Sequence, residues 1–114
     1  MLGRNNRLTG ELNFKRVQAE GWVFQSTNFG IAIFDRKDGK SSRFGFVVSI
    51  KVAHDAVDRN YARRKMSEGV RMVLKDIKDG LDVVFLAKPS VVRTSTSDVM
   101  KEVARALKES GIYK

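Results

Sequence analysis

The segment DRNYARRK, residues 58 to 65, concentrates the side chains of this sequence that are best suited to bind phosphate. A guanidinium fork binds two phosphate oxygens through parallel hydrogen bonds. The amide of Asn60 offers both a donor and an acceptor to a ribose or a base edge. Lys would supply charge equally well, so the use of Arg indicates a shaped phosphate-binding surface.

Helical periodicity places these basic residues on one flank of a helix. At about 100° per residue, Asn60, Arg63 and Arg64 point about 100°, 40° and 140° away from Arg59. Arg59 itself coincides with the apolar stripe, so we expect its guanidinium to project past the edge of a sheet. The alternative is an ordinary solvated face, with ion pairs such as Arg64 with Glu68. The apolar stripe consists of Ala62, Met66, Val70, Val73, Leu74 and Ile77.

Residues for catalysis are scarce in this sequence. It has one His and no Cys, and its carboxylates stand mostly beside Lys or Arg. No catalytic triad, His–carboxylate metal cluster or Gly-rich phosphate loop is recognisable. His54 precedes the long helix and suits a loop or phosphate contact better than general-base catalysis. We therefore expect no catalytic residue and no metal site in the protein itself.

The composition favours a polyanionic partner. The 114 residues carry a formal net charge of +9 and a sequence pI near 10.2, which points to nucleic acid first and to an anionic membrane surface second. No apolar run is long enough to span a membrane, and the N-terminus lacks the apolar core of a signal peptide. With no Cys there is no sign of an oxidising compartment, so we expect a single cytoplasmic domain over residues 1–114.

Three helices are predicted. The first covers about residues 9–20, with Thr9 as its cap and apolar residues Leu8, Leu12 and Val17. The second covers about 55–78 and is ended by Gly80. The third covers about 97–109, with Ser95 and Asp98 in a capping arrangement.

Four strands accompany these helices. A short strand is expected near Trp22, and two strands over 28–36 and 43–52 are expected to form a hairpin. LDVVFLAK, residues 81–88, indicates an almost fully buried strand, and Pro89 breaks away from it into a polar loop. The resulting order, αβββαβα, predicts an α/β sandwich with one mixed sheet.

Around the basic segment the sequence resembles the protein subunit of bacterial-type ribonuclease P. The signature of that family reads approximately S-K-K-x-G-x-A-V-x-R-N-R-x-K-R, and this chain has SIKVAHDAVDRNYARR. RLT at 7–9, NFKRV at 13–17, RFGFVVS at 43–49 and GLDVVFLAKP at 80–89 also follow the order of the family, so the resemblance covers nearly the whole chain. The matching signature residues are Ser49, Lys51, Ala56, Val57, Arg59, Asn60 and Arg64, with Arg63 for the Lys.

Several residues depart from the family pattern. Ile50 replaces a usual Lys, Ala53 a usual Gly, and Tyr61 the second Arg of the R-N-R triplet. Tyr61 could stack on a base or ribose, or be an ordinary exposed Tyr. Many relatives carry aromatic residues at the positions of Gln18 and Ala32, so weaker stacking of a bound strand is expected here.

The resemblance implies an α+β two-layer sandwich with a four-stranded mixed sheet and a left-handed βαβ crossover, the fold of ribosomal protein S5 domain 2. Parallel crossovers are almost always right-handed, so the residues alone would predict the opposite hand.

The resemblance also implies a function. The protein assists a catalytic RNA, ribonuclease P RNA, in removing the 5′ leader from precursor tRNA, as one subunit of a hydrolase. The RNA carries the chemistry and most of the Mg²⁺. One protein is expected per RNA, and the protein alone is expected to be monomeric.

The implied sites lie on the long helix and beside the first helix. A cleft between these two helices and the sheet is expected to receive the leader, with Phe14 either lining it or packing in the core. The expected contacts to the RNA subunit are Arg59, Asn60, Tyr61, Arg63, Arg64 and Lys65. The expected leader contacts are Phe14, Lys15, Ala32, Ser49 and Lys51.

Two other functions are compatible with parts of the sequence. A general RNA-binding or ribosomal protein of similar fold would lack an R-N-R helix beside an aromatic cleft. A stand-alone small nuclease would need a carboxylate or His cluster, which the sequence does not contain.

Overall fold

The computed structural model describes residues 2–114 and confirms the predicted order of elements. The helices are α1 (Glu11–Glu20), α2 (Ala56–Val73) and α3 (Thr96–Glu109). The strands are β1 (Trp22–Gln25), β2 (Phe29–Asp35), β3 (Arg43–Val47) and β4 (Leu81–Ala87). Short 3₁₀ turns cover Arg4–Asn6, Leu74–Asp76 and Pro89–Arg93.

The four strands form one mixed sheet in the order β1-β2-β4-β3. β4 pairs antiparallel with β2 and parallel with β3, with Val84 opposite both Ala32 and Gly45. The predicted hairpin between the second and third strands is therefore wrong. β4 is apolar on both faces and takes the position between them, while the hairpin is formed by β1 and β2.

The parallel strands β3 and β4 are joined through α2. This is the crossover that the resemblance to the family predicts. The left-handedness of the crossover stays a prediction. β3 also ends at Val47, not at residue 52. The chain turns there, with the amides of Val52 and Ala53 both donating to the carbonyl of Ser49. This turn carries the chain from the sheet to the start of α2.

The sheet has two covered faces, because successive side chains of a strand point to opposite sides. α2 and α3 cover one face and bury its larger apolar residues. α1 covers part of the other face, over a smaller cluster of Leu8, Val17, Ala32 and Val84. The main core includes Phe29, Ile31, Ile33, Phe44, Phe85, Met66, Val70, Val103 and Leu107.

The structure differs from the predicted boundaries at two helix ends and at Pro89. α1 begins after Gly10, whose φ of 88° few other residues adopt, so Thr9 is not its cap and Leu12 is exposed. α2 ends at Val73, and Ile77 is buried in a bridge to Tyr113 outside the helix. Pro89 opens a 3₁₀ turn instead of a loop.

The capping of α3 is confirmed, since the Ser95 hydroxyl accepts a hydrogen bond from the Asp98 amide. No helix within residues 2–114 has the length and apolar character needed to cross a lipid bilayer.

A buried carboxylate connects α1 with the sheet. Asp82, at the start of β4, is fully buried and accepts hydrogen bonds from three guanidinium groups. Arg43 donates twice, from Nε at 2.8 Å and Nη2 at 2.7 Å. Arg16 of α1 and Arg36, just after β2, donate at 3.0 and 2.9 Å. These bonds fix α1, β3 and the 36–42 loop relative to one another.

Candidate nucleic-acid interface

The first turns of α2 present the basic residues on the flank nearer to β3. Arg63 is half-buried and donates from Nη1 to Asn60 Oδ1 at 2.8 Å, one turn apart. Arg64 is exposed. Glu68, its expected partner, pairs with Arg71 instead, at 2.8 Å. The Asn60–Arg63 bond holds a guanidinium and an amide side by side at the surface, ready for a phosphate and a ribose.

Part of the Arg59 guanidinium forms hydrogen bonds with the backbone of the protein itself. Its Nη1 donates to the carbonyls of Ala53 and His54, at 3.0 and 2.6 Å. These two carbonyls belong to the turn that precedes α2, so Arg59 ties that turn to the helix. Backbone carbonyls at the start of the helix therefore accept hydrogen bonds from the Arg59 guanidinium. The charged group is thus not left unpaired, although helical periodicity directs it toward the core.

Lys65 lies on the other side of α2, and the prediction that it contacts RNA is wrong. Only 6% of the residue is exposed. Its ammonium donates to the carbonyls of Val91, Val92 and Thr94, at 3.2, 3.3 and 2.7 Å. An ammonium group has three donors, so all of them are used to close the end of the Pro89–Arg93 turn.

Tyr61 lies on the same side as Lys65, not on the basic flank. The residue is 53% exposed, and the Lys65 ammonium is 5.1 Å from the centroid of its ring. The two residues are four apart and therefore share a face of the helix. The six expected contacts to the RNA subunit are thus divided. Asn60 and Arg63 lie together on one side, Tyr61 and Lys65 lie on the other, and Arg64 lines a small cavity with Tyr61 and Lys65.

Phe14 is half-buried where α1 crosses the sheet. Its ring lies directly on Gly45 of β3, where an added Cβ would stand 2.5 Å from both Cε1 and Cζ of the ring. The ring also packs against the small cluster around Leu8. The packing of Phe14 on the sheet is therefore confirmed, while its contact with the leader stays a prediction.

Ala32 does not line an open cleft. It is 1% exposed, lies opposite Val23 and Val84 in the neighbouring strands, and is packed in the cluster beneath α1. A middle position in the sheet on the α1 face leaves no path from this side chain to solvent. The expected leader contact at Ala32 is therefore wrong.

The remaining predicted cleft residues are exposed. Lys15 forms an ion pair with Glu11 at 3.2 Å, with both side chains largely in water. Ser49 and Lys51 lie in the turn after β3. The prediction of a cleft between the first helix, the long helix and the sheet is wrong, because α1 and α2 lie on opposite faces of the sheet.

The part of the α1 face that stays open is at the end of the sheet where β3 stops. Val47 and Leu86 are half-buried there and pair with each other across the strands. Phe14 lies on one side of this surface, and the turn with Ser49 and Lys51 follows directly from β3. We call this surface, made by Phe14, Val47, Leu86, Ser49 and Lys51, the open sheet face.

Two buried acids that link elements of the fold were missed in the sequence. Asp82 could have been noticed as a lone carboxylate in an apolar strand. Glu102 of α3 could not, because its partners Ser26 and Asn28 lie 76 and 74 residues away in the sequence. Within residues 2–114 no three His, Asp or Glu side chains are grouped so that they could hold a metal ion.

Comparison with known proteins decides the family. The sequence profile described as "Ribonuclease P" matches residues 2–111. The chain belongs to the ribonuclease P protein family. Members of this family are the protein component of a tRNA-processing ribonucleoprotein enzyme, whose partner is an RNA subunit.

Individual ribonuclease P proteins match along most of the chain. The Ribonuclease P protein component of Chloroflexus aggregans is 32% identical over 109 residues, covering 94% of this chain and 78% of that protein. The one from Clavibacter michiganensis is 30% identical and covers 94% of both chains.

Solved structures share the fold. The Staphylococcus aureus RNase P protein superposes with a TM-score of 0.86 at 21% identity, over 95% of this chain and 97% of that chain. The Thermotoga maritima RNase P protein gives a TM-score of 0.80 at 25% identity, over 91% and 96% of the two chains.

Proposed function

We propose that this ribonuclease P protein binds the RNA subunit through the basic flank of α2 and binds the 5′ leader of precursor tRNA on the open sheet face. The observation that carries this proposal is the Asn60–Arg63 pair beside exposed Arg64. These side chains offer guanidinium and amide groups to phosphates and riboses in a chain of net charge +9.

The open sheet face suits a single strand of RNA. Part of the Phe14 ring is accessible for stacking on a base, and Val47 and Leu86 offer an apolar floor. Lys51 adds a charge for the backbone at the edge of this floor. The leader would therefore be held by stacking and by phosphate contacts, without a side chain that reads a base edge.

The catalytic groups are supplied by the RNA. The protein binds as one copy per RNA, and Mg²⁺ is held mainly by the RNA subunit and the phosphates of the substrate. The protein contributes positive charge close to the strand that is cut, which lowers the repulsion between the two RNAs. Less Mg²⁺ is then needed for the same rate of cleavage.

The test is cleavage of precursor tRNA by a ribonuclease P RNA, measured over a range of magnesium concentrations with and without the protein. We expect the protein to lower the magnesium concentration needed for half-maximal cleavage and to cleave nothing by itself. Cleavage by RNA-free protein would overturn the proposal, and so would an unchanged magnesium dependence. A ribosomal RNA fragment of equal length is the control for non-specific RNA binding.

A further inference from the structure

A polar cavity of about 470 Å³ lies outside both surfaces described above. It is formed by the N-terminal segment, the loop that follows β2 and the start of β3. None of its lining residues, all within the described part of the chain, is aromatic. Five of its side chains are cationic and one is a carboxylate: Arg4, Arg7, Arg36, Lys40 and Arg43, with Asp38.

Two of the cationic groups are held rigidly. Arg43 is fixed by its two bonds to Asp82. The Arg36 side chain is 9% exposed, and it donates to Asp82 and to the carbonyls of Lys40 and Ser41, the latter two at 3.3 and 2.8 Å. These bonds use most of the N–H donors of the two groups, so Arg36 and Arg43 supply fixed positive charge to the wall of the cavity, while the exposed cationic side chains keep free donors.

The N-terminal segment holds the other side of the cavity. Asn6 Nδ2 donates to the carbonyl of Ser42, and the Leu8 amide donates to that of Phe44, both at 2.9 Å. These bonds run along the free edge of β3 and fix the backbone of residues 4–8. Arg4 and Arg7 are exposed there, and neither forms an ion pair with a carboxylate of residues 2–114.

The charge of the cavity is not balanced by the protein. Asp38 is the one carboxylate in the lining of the cavity and already pairs with Arg36. Asp82, which is not part of the lining, forms ion pairs with three Arg side chains. Like charges this close repel one another in a medium less polar than water. A bound anion would relieve that repulsion, and a phosphate can accept hydrogen bonds from the exposed guanidinium groups of Arg4 and Arg7.

The cavity is continuous with the basic flank of α2. Arg7 also lines a smaller cavity together with Arg63, Phe46, Ser67 and Leu2. A row of guanidinium groups therefore leads from α2 past the N-terminal segment into the larger cavity. A continuous row suits a polymer of phosphates better than a single small anion, and the larger cavity has no aromatic lining residue on which a base could stack.

We propose that this cavity binds consecutive backbone phosphates of an RNA strand, independently of sequence, and so extends the RNA contact of α2 to the edge of β3. The assignment to RNA rests on the proposed function. The phosphate site itself rests on the geometry of Arg36, Arg43 and the N-terminal segment.

The test uses two double variants of the full chain. Arg4→Ala with Lys40→Ala removes two exposed cationic groups of the cavity that form no ion pair with a described residue. Lys101→Ala with Lys108→Ala removes the same charge from exposed positions of α3, on the other side of the sheet. Urea unfolding checks that both variants are folded.

Inorganic pyrophosphate is the first probe, at low ionic strength, with backbone amide resonances as the readout. We expect saturable shifts at Lys40, Ser41 and Arg43 in the wild-type and the α3 variant. The shifts should be lost or weakened severalfold in the cavity variant. Shifts that do not saturate, or that are equal in both variants, would show that no phosphate site exists here.

The second probe is RNA, with ribonuclease P RNA and an unrelated single strand titrated at several salt concentrations. We expect the cavity variant to bind both RNAs about tenfold more weakly at low salt, with a salt slope smaller by roughly 1 to 2 than in the α3 variant. Pyrophosphate binding with identical RNA affinities for both variants would reduce the cavity to a small-anion site and overturn the RNA assignment. The proposed function fails separately, if wild-type protein leaves the magnesium dependence of ribonuclease P RNA unchanged.

Discussion

Gly45 is the residue that lets Phe14 lie against the sheet. Since a Cβ there would stand 2.5 Å from two ring carbons, Gly45→Ala forces the ring or the strand to move. We expect a loss of about 1 to 3 kcal/mol in the free energy of unfolding. We also expect a smaller preference for precursor over mature tRNA, because the displaced ring no longer presents the same edge to the leader.

The control for this variant is Gly30→Ala on the same face of the sheet. There the added Cβ would meet the end of the Gln25 side chain at 2.9 Å, and that exposed side chain can swing aside. The loss should stay below about 1 kcal/mol. Urea denaturation and tRNA binding measure both variants, and equal losses of leader preference would contradict the role given to Phe14.

Neighbouring residues 64 and 65 should respond in opposite ways to substitution. Lys65→Met leaves the carbonyls of Val91, Val92 and Thr94 without their donor, so we expect a loss of about 1 to 3 kcal/mol in stability and an unchanged salt slope of RNA binding. Arg64→Ala should keep the stability and reduce that slope by nearly one. A reduced slope for Lys65→Met, measured while the variant is folded, would return Lys65 to the RNA interface.

At the scale of elements, local patterns predicted which segments are helices and strands, but not which strands are neighbours. The apolar repeat of α2 and the Ser95 cap of α3 are signals contained in a few adjacent residues. The apolar run of β4 predicted a nearly buried strand, but the pairing that places it between β2 and β3 joins residues far apart in the sequence and has no local signal. The hairpin prediction failed for that reason.

The positions of site residues could be predicted from the sequence where helical periodicity decides in which direction a side chain points. Helical periodicity correctly placed Asn60 and Arg63 side by side. It could not show that Lys65 meets the carbonyls at the end of the Pro89–Arg93 turn, 26 to 29 residues away. Nor could it show that Ala32 lies beneath α1, because the packing of α1 on the sheet has no local signature.

Glu102 links α3 to the turn between β1 and β2 and should make this link dependent on pH. Its carboxylate accepts from the Ser26 hydroxyl and from the amide and side chain of Asn28, the latter two at 2.9 and 2.5 Å. Desolvation raises the pKa of Glu102, but these hydrogen bonds and the charge of Arg105 outweigh it and lower the pKa below 4.5.

A carboxyl group whose pKa is lower in the folded state stabilises the protein at pH values above its unfolded pKa, and this contribution is lost as the pH falls through the folded pKa. We therefore expect wild-type stability to fall on acidification below about pH 4.5. Glu102→Gln should be less stable at pH 7 and should lose less stability over the acidic range. Urea unfolding at several pH values measures this, and parallel pH profiles would show that Glu102 is not the group responsible.

At the scale of the whole molecule, the sheet separates the two proposed RNA-binding surfaces. The basic flank belongs to α2 and the open sheet face lies on the side of α1, and the turn after β3 connects the two. A substrate strand and the RNA subunit can therefore contact the protein at the same time without competing for side chains. Asp82 ties α1 to β3 and β4, and β4 pairs with both β2 and β3.

This separation predicts additive effects. Phe14→Leu keeps apolar packing but removes the stacking ring, and should weaken precursor binding by about 1 to 3 kcal/mol while leaving affinity for the RNA subunit unchanged. Arg63→Ala should weaken binding to the RNA subunit and spare the preference for precursor over mature tRNA. In the double variant the two losses in free energy of precursor binding to the assembled enzyme should add to within about 0.5 kcal/mol, because the residues share no partner. The cycle is measured with precursor and mature tRNA on enzyme reconstituted at saturating protein. A coupling well above that value would mean that both side chains contact one RNA element, and that the two faces of the sheet do not bind separate RNAs.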